Sequence, residues 1–550
     1  MTDAHPCVRA TVWDLASHSY DLLVVGGGVT GAGIAREAAL RGRRVALVDR
    51  YDFAWGTSSR SSRLVHGGLR YLEHRQWHLV RESLTERKTL LALAPHLVRP
   101  LSFVFPLFKG DRVARWKLEL GLTFYDLLAS RGNVPRHRAL SKRALLDQEP
   151  LLRERGLKGG ALYWDAQTDD ARLTLAAVRA AARQGALVAN YACVTALDQA
   201  GGKVRGATVE DQLTGAQATI EARVVVNATG PWCDAIRRLE DPSARPLLAP
   251  TRGAHVMVPR AKVGHTNAIT FLSPIDGRVM FVLPWGDRSY IGTTDTDAPA
   301  DPDHVTTTDD DVLYLLRSAN ALFPTARLAP EDVSMSWAGL RPLVVADGGN
   351  GRDPGARSRE HRIVAGSGGM ITVAGGKLTT FRRMAVEVMD RVDQALDPSA
   401  KPRPATDSAT EPLPGGERFD RTTAFTRGVA RGLPESTVAH LIGQYGSEVG
   451  SIFELVAEHD ALRAPVHPHH GAIGAEVVHS VRAELARRLD DVIFRRLSLA
   501  YETPDAGAGA IGTVAQLMGR ELGWDETRRQ QEIERCQEII AAVPRGRPLS

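Results

Sequence analysis

The stretch "DLLVVGGGVTGAGIAREAALRGRRVALVDR", residues 21–50, decides the fold. A short apolar run, DLLVV, is broken by a glycine cluster. A helix-forming segment follows and stops at Gly42, and a second apolar run closes at Asp49. The order reads as strand, tight turn, helix, strand. Gly26, Gly28 and Gly31 form a GxGxxG at the strand-to-helix junction. The first glycine permits the turn, the second lets the backbone approach a pyrophosphate, and the third allows helix to pack closely on strand. The helix N-terminus offers N–H groups and partial positive charge to phosphates. Asp49 stands at about the ~20-residue separation expected of an acid that binds a ribose. These features together predict a dinucleotide site.

A second match, GAGAIG at 507–512, follows the turn-like TPDA and precedes no strand ending in an acid. It reads as a loop between helices. One dinucleotide site then has to do any redox work, which favours FAD over a reductase with two nucleotides. "VVVNATGPW", residues 224–232, strengthens the flavin reading. Its apolar strand runs into Ala228, Thr229 and Gly230, small residues that let a strand end pass near a cofactor.

The 550 residues allow two or three domains. With 43% hydrophobic and 24% charged residues, the chain belongs with ordinary globular proteins. A formal net charge of +5 is too small to imply nucleic-acid binding. The four cysteines include no CxxC pair, so neither a disulfide framework nor a metal site is expected, and a reducing cytosolic setting is the default. The first residues lack the pattern of a signal peptide. No apolar run reaches the ~18 residues of a membrane span; the nearest, LVRPLSFVFPLF, is interrupted by Arg99, Pro100 and Pro106.

Residues 78–94 are expected to be helical. Short β-like runs such as GAHVMVP, RVMFVLPW and SYIGTTD fill the middle of the chain. Residues 397–417, rich in Pro, Ser, Thr and Gly, read as a linker. Beyond them the pattern turns helical, with Val481, Leu485, Leu489, Val492 and Leu497 at helical spacing and another amphipathic segment at 524–543. The fold class is therefore α/β: a Rossmann-like FAD-binding domain of the glutathione-reductase or D-amino-acid-oxidase type, a mixed-sheet substrate cap, and an all-α C-terminal domain. The expected division is an extension at 1–19, an oxidoreductase domain at 20–396, the linker, and a helical domain at 418–550. Within the second unit, the FAD-binding part takes about 20–95, 160–245 and 335–396, and the cap about 96–159 and 246–334.

Four segments carry cations of interest, two of them beside a glycine pair. "SSRSSRLVHGGLRYLEHRQW" at 58–77 holds Arg63, His66 and Arg70 around Gly67 and Gly68. WAGLRPL carries Arg341, SREHRI carries Arg359, and VAGGKLTTFRR sets Gly376 before Lys377, Leu378 and Thr379. A glycine pair before Lys-x-Thr at a helix start suits the electron-rich edge of a flavin. Arginine forks suit a phosphate.

Taken in order, "DLLVVGGGVTGAGIA", "TSSRSSRLVHGGLRYLE", "NATGPW", "GAHVMVP", "IGTTD", "GLRPL" and "GGKLTTFR" resemble the FAD-dependent, quinone-linked glycerol-3-phosphate dehydrogenases. The resemblance covers nearly the whole chain beyond residue 19. It implies hydride transfer from C2 of sn-glycerol 3-phosphate to FAD, giving dihydroxyacetone phosphate, with electrons passed to a membrane quinone. On that footing Arg70, Tyr71, Arg341, Arg359 and Lys377 are expected to bind substrate. His66 and His255 are candidate bases, and Arg341 or Lys377 is an alternative group to polarise the hydroxyl. Ser58, Ser59, Ser62, Arg63, Leu64, Gly67 and Gly68 are expected along the FAD, with Ala228, Gly230, Gly376, Lys377, Leu378 and Thr379. The family usually has Lys where Arg63 stands, and the loop 347–358 varies beside Arg359.

The implied setting is cytoplasmic, peripheral on the inner face of the membrane, and a homodimer is one assembly this allows. The segment 108–128 mixes Arg112, Arg115 and Lys117 with Trp116, Leu120 and Phe124. Such a segment can lie among lipid headgroups or pack on the protein's own cap. The alternatives are a glycerol-phosphate oxidase that uses oxygen, or an amine or 2-hydroxy-acid oxidoreductase of the same fold. The last does not account for several cations poised for a dianion.

Overall fold

A computed structural model describes residues 7–69, 76–129, 133–299, 301–345, 360–401 and 407–546. Arg70, Tyr71, Arg359 and the loop 347–358 lie outside the described residues.

Two sheets organise the first four hundred residues. The central strand of the first, Tyr20–Val25, pairs in parallel with Val45–Val48 on one side and Gln217–Asn227 on the other. Leu187–Ala189 extends one edge in parallel; Ile371–Ala374 and then Arg362–Ala365 extend the other. Parallel strands covered on both faces must be apolar throughout, and Tyr20–Val25 is. Leu22 and Val24 enter one core with the helices Val29–Leu40, Asp170–Arg183 and Phe381–Leu396. Leu23 and Val25 enter the opposite core with Val12 and Leu15 of an N-terminal turn of helix. The GxGxxG turn thus sits at the carboxyl ends of the central strands, where open α/β sheets bind ligands.

The second sheet is mixed and has ten strands. The run LVRPLSFVFPLF becomes part of its long strand Val98–Phe108, paired antiparallel along nearly its full length with Leu157–Thr168. Leu64–Val65 adds to the far side of that partner, and Met335–Arg341 pairs with Thr251–Pro259. The chain passes from the first sheet to the second through the segment around residue 60, which packs against the end of the strand Met335–Arg341.

Among the described residues beyond 417, all named regular elements are helical, as the sequence implies. Helix Trp77–Leu93 matches the expected 78–94, and Glu526–Ala541 falls within 524–543. GAGAIG follows the helix Leu499–Glu502 and runs through a 3-10 turn at Ala508–Ala510 into the helix Ile511–Leu522, so its last two residues are helical rather than loop. The pattern from Val481 to Leu497 does not form one helix. Gly474–Ala483 stops, Leu485 takes φ +63°, and the chain resumes as a π-helical turn at Asp491–Arg496. The break buries Glu484, Asp490 and Asp491 where arginines can meet them. Leu413, in the Pro-rich segment, is fully buried and its N–H donates to the carbonyl of Leu93.

Candidate active site

Two cavities flank a wall built from residues 57–64 and 341–342. One, about 370 Å³, opens at the carboxyl ends of the parallel strands. Gly26, Gly28, Asp49, Ser58, Ala228, Gly230, Gly376, Lys377 and Leu378 all line it. Gly26 has φ +106°, and a β-carbon there would stand 2.7 Å from the carbonyl oxygen of Ala228. Gly31 lies off the lining, packed against the carbonyl of Gly26, so its bare α-carbon lets helix meet strand. The Asp49 carboxylate accepts the N–H groups of Gly27 (2.6 Å) and Tyr51 (2.8 Å). Burial outweighs these bonds and pushes its pKa up to about 7. Ser58 accepts the N–H of Val29 at 2.9 Å, tying the wall to the helix N-terminus.

The second cavity, about 350 Å³, holds Ser62, Leu64, His66, Gly68, Asp165 and Arg341 at its polar end. Arg341 is held in place by Asp295 (3.1 Å), the Thr293 hydroxyl (2.9 Å) and the Thr294 carbonyl (2.9 Å). Most of the remaining lining is apolar, including Trp77, Phe103, Leu120, Phe124 and Phe281, with Lys117, Thr270 and Thr293 as further polar members. Lys377 lines the first cavity and not this one, and the neighbouring Arg341 and Pro342 face opposite sides of the wall.

The two histidines differ. His66 lines the second cavity, and its backbone exchanges hydrogen bonds with the Thr379 hydroxyl. His255 is buried behind the lining, with its Nε2 2.9 Å from the Ser62 hydroxyl and its ring stacked on Trp337 at 5.0 Å. Burial, with Arg341 and Arg63 adding to it, pushes its pKa down to about 3, so the ring is neutral. Arg63 and Ser59 are buried and line neither cavity.

Sequence reasoning missed the support under the glycine pair. The Gly67 N–H donates to the Tyr125 hydroxyl (2.8 Å) and to Asp165 (3.1 Å). Tyr125 in turn donates to both Asp165 oxygens, and Arg87 forms a buried ion pair with Asp165. An acid at the end of the apolar run ALYWD was the available signal. Two histidines of HPHH, residues 467–470, are paired with carboxylates: His467 meets Asp505 at 3.1 Å and His470 meets Glu502 at 3.0 Å.

Comparison with known proteins shows the family. Residues 21–382 match the family "FAD dependent oxidoreductase", and residues 406–529 match "C-terminal domain of alpha-glycerophosphate oxidase". Glycerol-3-phosphate dehydrogenase 2 of Mycobacterium tuberculosis is 38% identical over 538 residues, covering 96% of this chain and 89% of that protein. Glycerol-3-phosphate dehydrogenase of Synechocystis sp. is 35% identical over 544 residues, 96% of this chain and 97% of its own. The chain belongs to the FAD-dependent glycerol-3-phosphate dehydrogenase family.

A solved member of this family, the Bacillus halodurans enzyme complexed with FAD, matches 98% of the chain and 97% of its own, with TM-score 0.81 and 31% identity. FAD is the cofactor here as well. The first cavity fits it on its own terms: a bare Gly26 where a side chain would block the floor, an acid at the second strand end, and a glycine pair before Lys377. No helix among the described residues is long and apolar enough to cross a membrane.

Proposed function

We propose that the protein oxidises sn-glycerol 3-phosphate at C2 to dihydroxyacetone phosphate and passes the electrons to a lipid-dissolved quinone. The observation that carries this reading is the second cavity, with a fixed arginine at its polar end and the cofactor cavity across a shared wall. Bound FAD supplies the two-electron acceptor for the C2 hydride. Arg341 presents a preset fork to the substrate, which costs less ordering than a free side chain. Arg70, Tyr71 and Arg359 are assigned to the substrate in this reading on the family resemblance alone, and Lys377 serves the cofactor side. The C2 hydroxyl must also lose a proton. His66 reaches the cavity directly; His255 reaches it only through Ser62.

The quinone rests on two features. The cavity is larger and more apolar than a three-carbon phosphate requires. Helix Arg115–Leu128, part of its wall, exposes Trp116, Leu120, Phe124 and Leu127 in one stripe beside Arg112, Arg115 and Lys117. Exposed apolar stripes flanked by cations suit an anionic lipid surface. Anaerobic addition of glycerol 3-phosphate to the yellow holoenzyme tests the substrate: the visible flavin band should bleach. If it stays oxidised while sarcosine or 2-hydroxyglutarate bleaches it, the reading fails. Turnover with a short-chain quinone, compared with oxygen, then tests the acceptor.

A further inference from the structure

The back of the wall between the two cavities is made by the helical C-terminal unit. Arg63 has a left-handed backbone, φ +52°, a conformation that persists in a non-glycine residue only where its surroundings enforce it. Its fully buried guanidinium lies over three rings: Tyr501 at 4.2 Å, Trp285 at 4.5 Å and Trp337 at 5.5 Å. Asp170 is 3.8 Å away. The flanking Ser62 and Leu64 both line the substrate cavity.

Tyr501 touches the wall twice. Besides Arg63, it meets Trp337 edge-on at 5.5 Å, and Trp337 stacks on His255, which bonds Ser62. Its neighbour Glu502 accepts the indole N–H of Trp285 at 2.8 Å, fixing a second ring of the cage. Ser498 donates to Asp169 at 3.0 Å, next to the Asp170 that holds Ser61. The contacts of residues 498–502 thus converge on one short strip, residues 61–64.

We propose that Tyr501 is a positioning residue of the active site: its ring holds Arg63, and Arg63 sets Ser62 and Leu64 on the substrate-facing wall. The C-terminal unit is then part of the catalytic apparatus without touching substrate or cofactor. The proposal rests on the functional reading above for its choice of substrate.

The test uses flavin-loaded Tyr501→Leu and Tyr501→Phe. A cation–π contact to a desolvated arginine sets the scale, and loss of the ring should lower kcat/KM for glycerol 3-phosphate by ~10- to 30-fold per bound flavin. Tyr501→Phe keeps the ring and should restore it to within ~3-fold of the parent. A merely structural role would reduce the yield of holoenzyme and leave kcat and KM per flavin unchanged, which would overturn the proposal. Should Tyr501→Leu fail to fold, Arg63→Met provides the same readout from the other side of the contact. If the parent holoenzyme is not reduced by glycerol 3-phosphate, the substrate reading has failed. The positioning is then read from the visible circular dichroism of the bound flavin, which Tyr501→Leu should alter and Tyr501→Phe should not; an unaltered spectrum in both overturns it.

Discussion

Gly26→Ala puts the fingerprint argument at risk most directly. The added β-carbon would meet the carbonyl oxygen of Ala228 at 2.7 Å, its carbon at 2.8 Å and the α-carbon of Thr229 at 2.9 Å. All three are backbone atoms of the strand end opposite, so none can swing aside. The φ of +106° adds strain of about 1–3 kcal/mol for an L-residue, and overpacking adds about 1–3 kcal/mol. Relief requires moving the turn away from residues 228–229, which opens the floor of the cofactor cavity. If about 2 kcal/mol of the cost falls on cofactor binding, the Kd for FAD rises roughly 30-fold. Titration of apoprotein with FAD, read by quenching of flavin fluorescence, measures this, and melting of the apoprotein captures the remainder. Gly42→Ala is the control: φ is +74°, and nothing lies within 4 Å of its added carbon. It should lower stability by about 1 kcal/mol and leave the Kd alone. A Gly26→Ala protein with parental FAD content, Kd and melting temperature would refute the reasoning.

Arg341→Lys keeps the charge but loses the fork held by Asp295 and Thr293. We expect kcat/KM for glycerol 3-phosphate to fall by roughly 10- to 100-fold, measured in steady state with a soluble electron acceptor. His96 and His255, pushed by burial down to about 3, and His265 and His479, down to about 4, stay neutral in the folded protein. The unfolded chain takes up these protons below about 6.5, so their contribution is complete above that pH and is lost as pH falls toward 4. Asp49, raised to about 7, and Asp170 and Asp491, raised to about 6, oppose this over the same range but are fewer. Melting temperature should therefore decline modestly from about pH 7 to about pH 5; a rising profile would contradict it. Trp116→Glu with Leu127→Glu should weaken co-sedimentation with anionic vesicles by roughly tenfold or more, while activity with a soluble acceptor holds. Asp52→Asn removes the carboxylate that meets both Arg495 and Arg496, and should cost about 3 kcal/mol or more in chemical denaturation.

What the sequence disclosed depended on distance along the chain. The strand, turn and helix at 20–40 are local, so hydrophobic period and glycine spacing were enough to read them. The support under Gly67 draws Arg87, Tyr125 and Asp165 from three elements, and none of these residues belongs to a recognisable spacing. Arg63 sits in a serine-rich segment and reads naturally as a cofactor neighbour. Only the fold shows that its side chain turns into rings supplied by residues 285, 337 and 501. The periodicity from Val481 to Leu497 misled for a related reason. Apolar spacing records which side is buried, but the backbone there bends to satisfy buried charges such as Asp52 with Arg496. A period-based reading has no access to those charges.

Asp52 and Arg496 are 444 residues apart, and the wall at residue 63 waits for a ring at 501. During synthesis the nucleotide-binding turn leaves the ribosome more than four hundred residues ahead of the residues that brace the wall. A nascent chain therefore holds all the residues that line its cofactor cavity, Val25 to Leu378, before the ring that braces its substrate wall has been made. Translation order would then separate cofactor capture from productive turnover, and a chain cut short before residue 495 would carry the fingerprint without the brace.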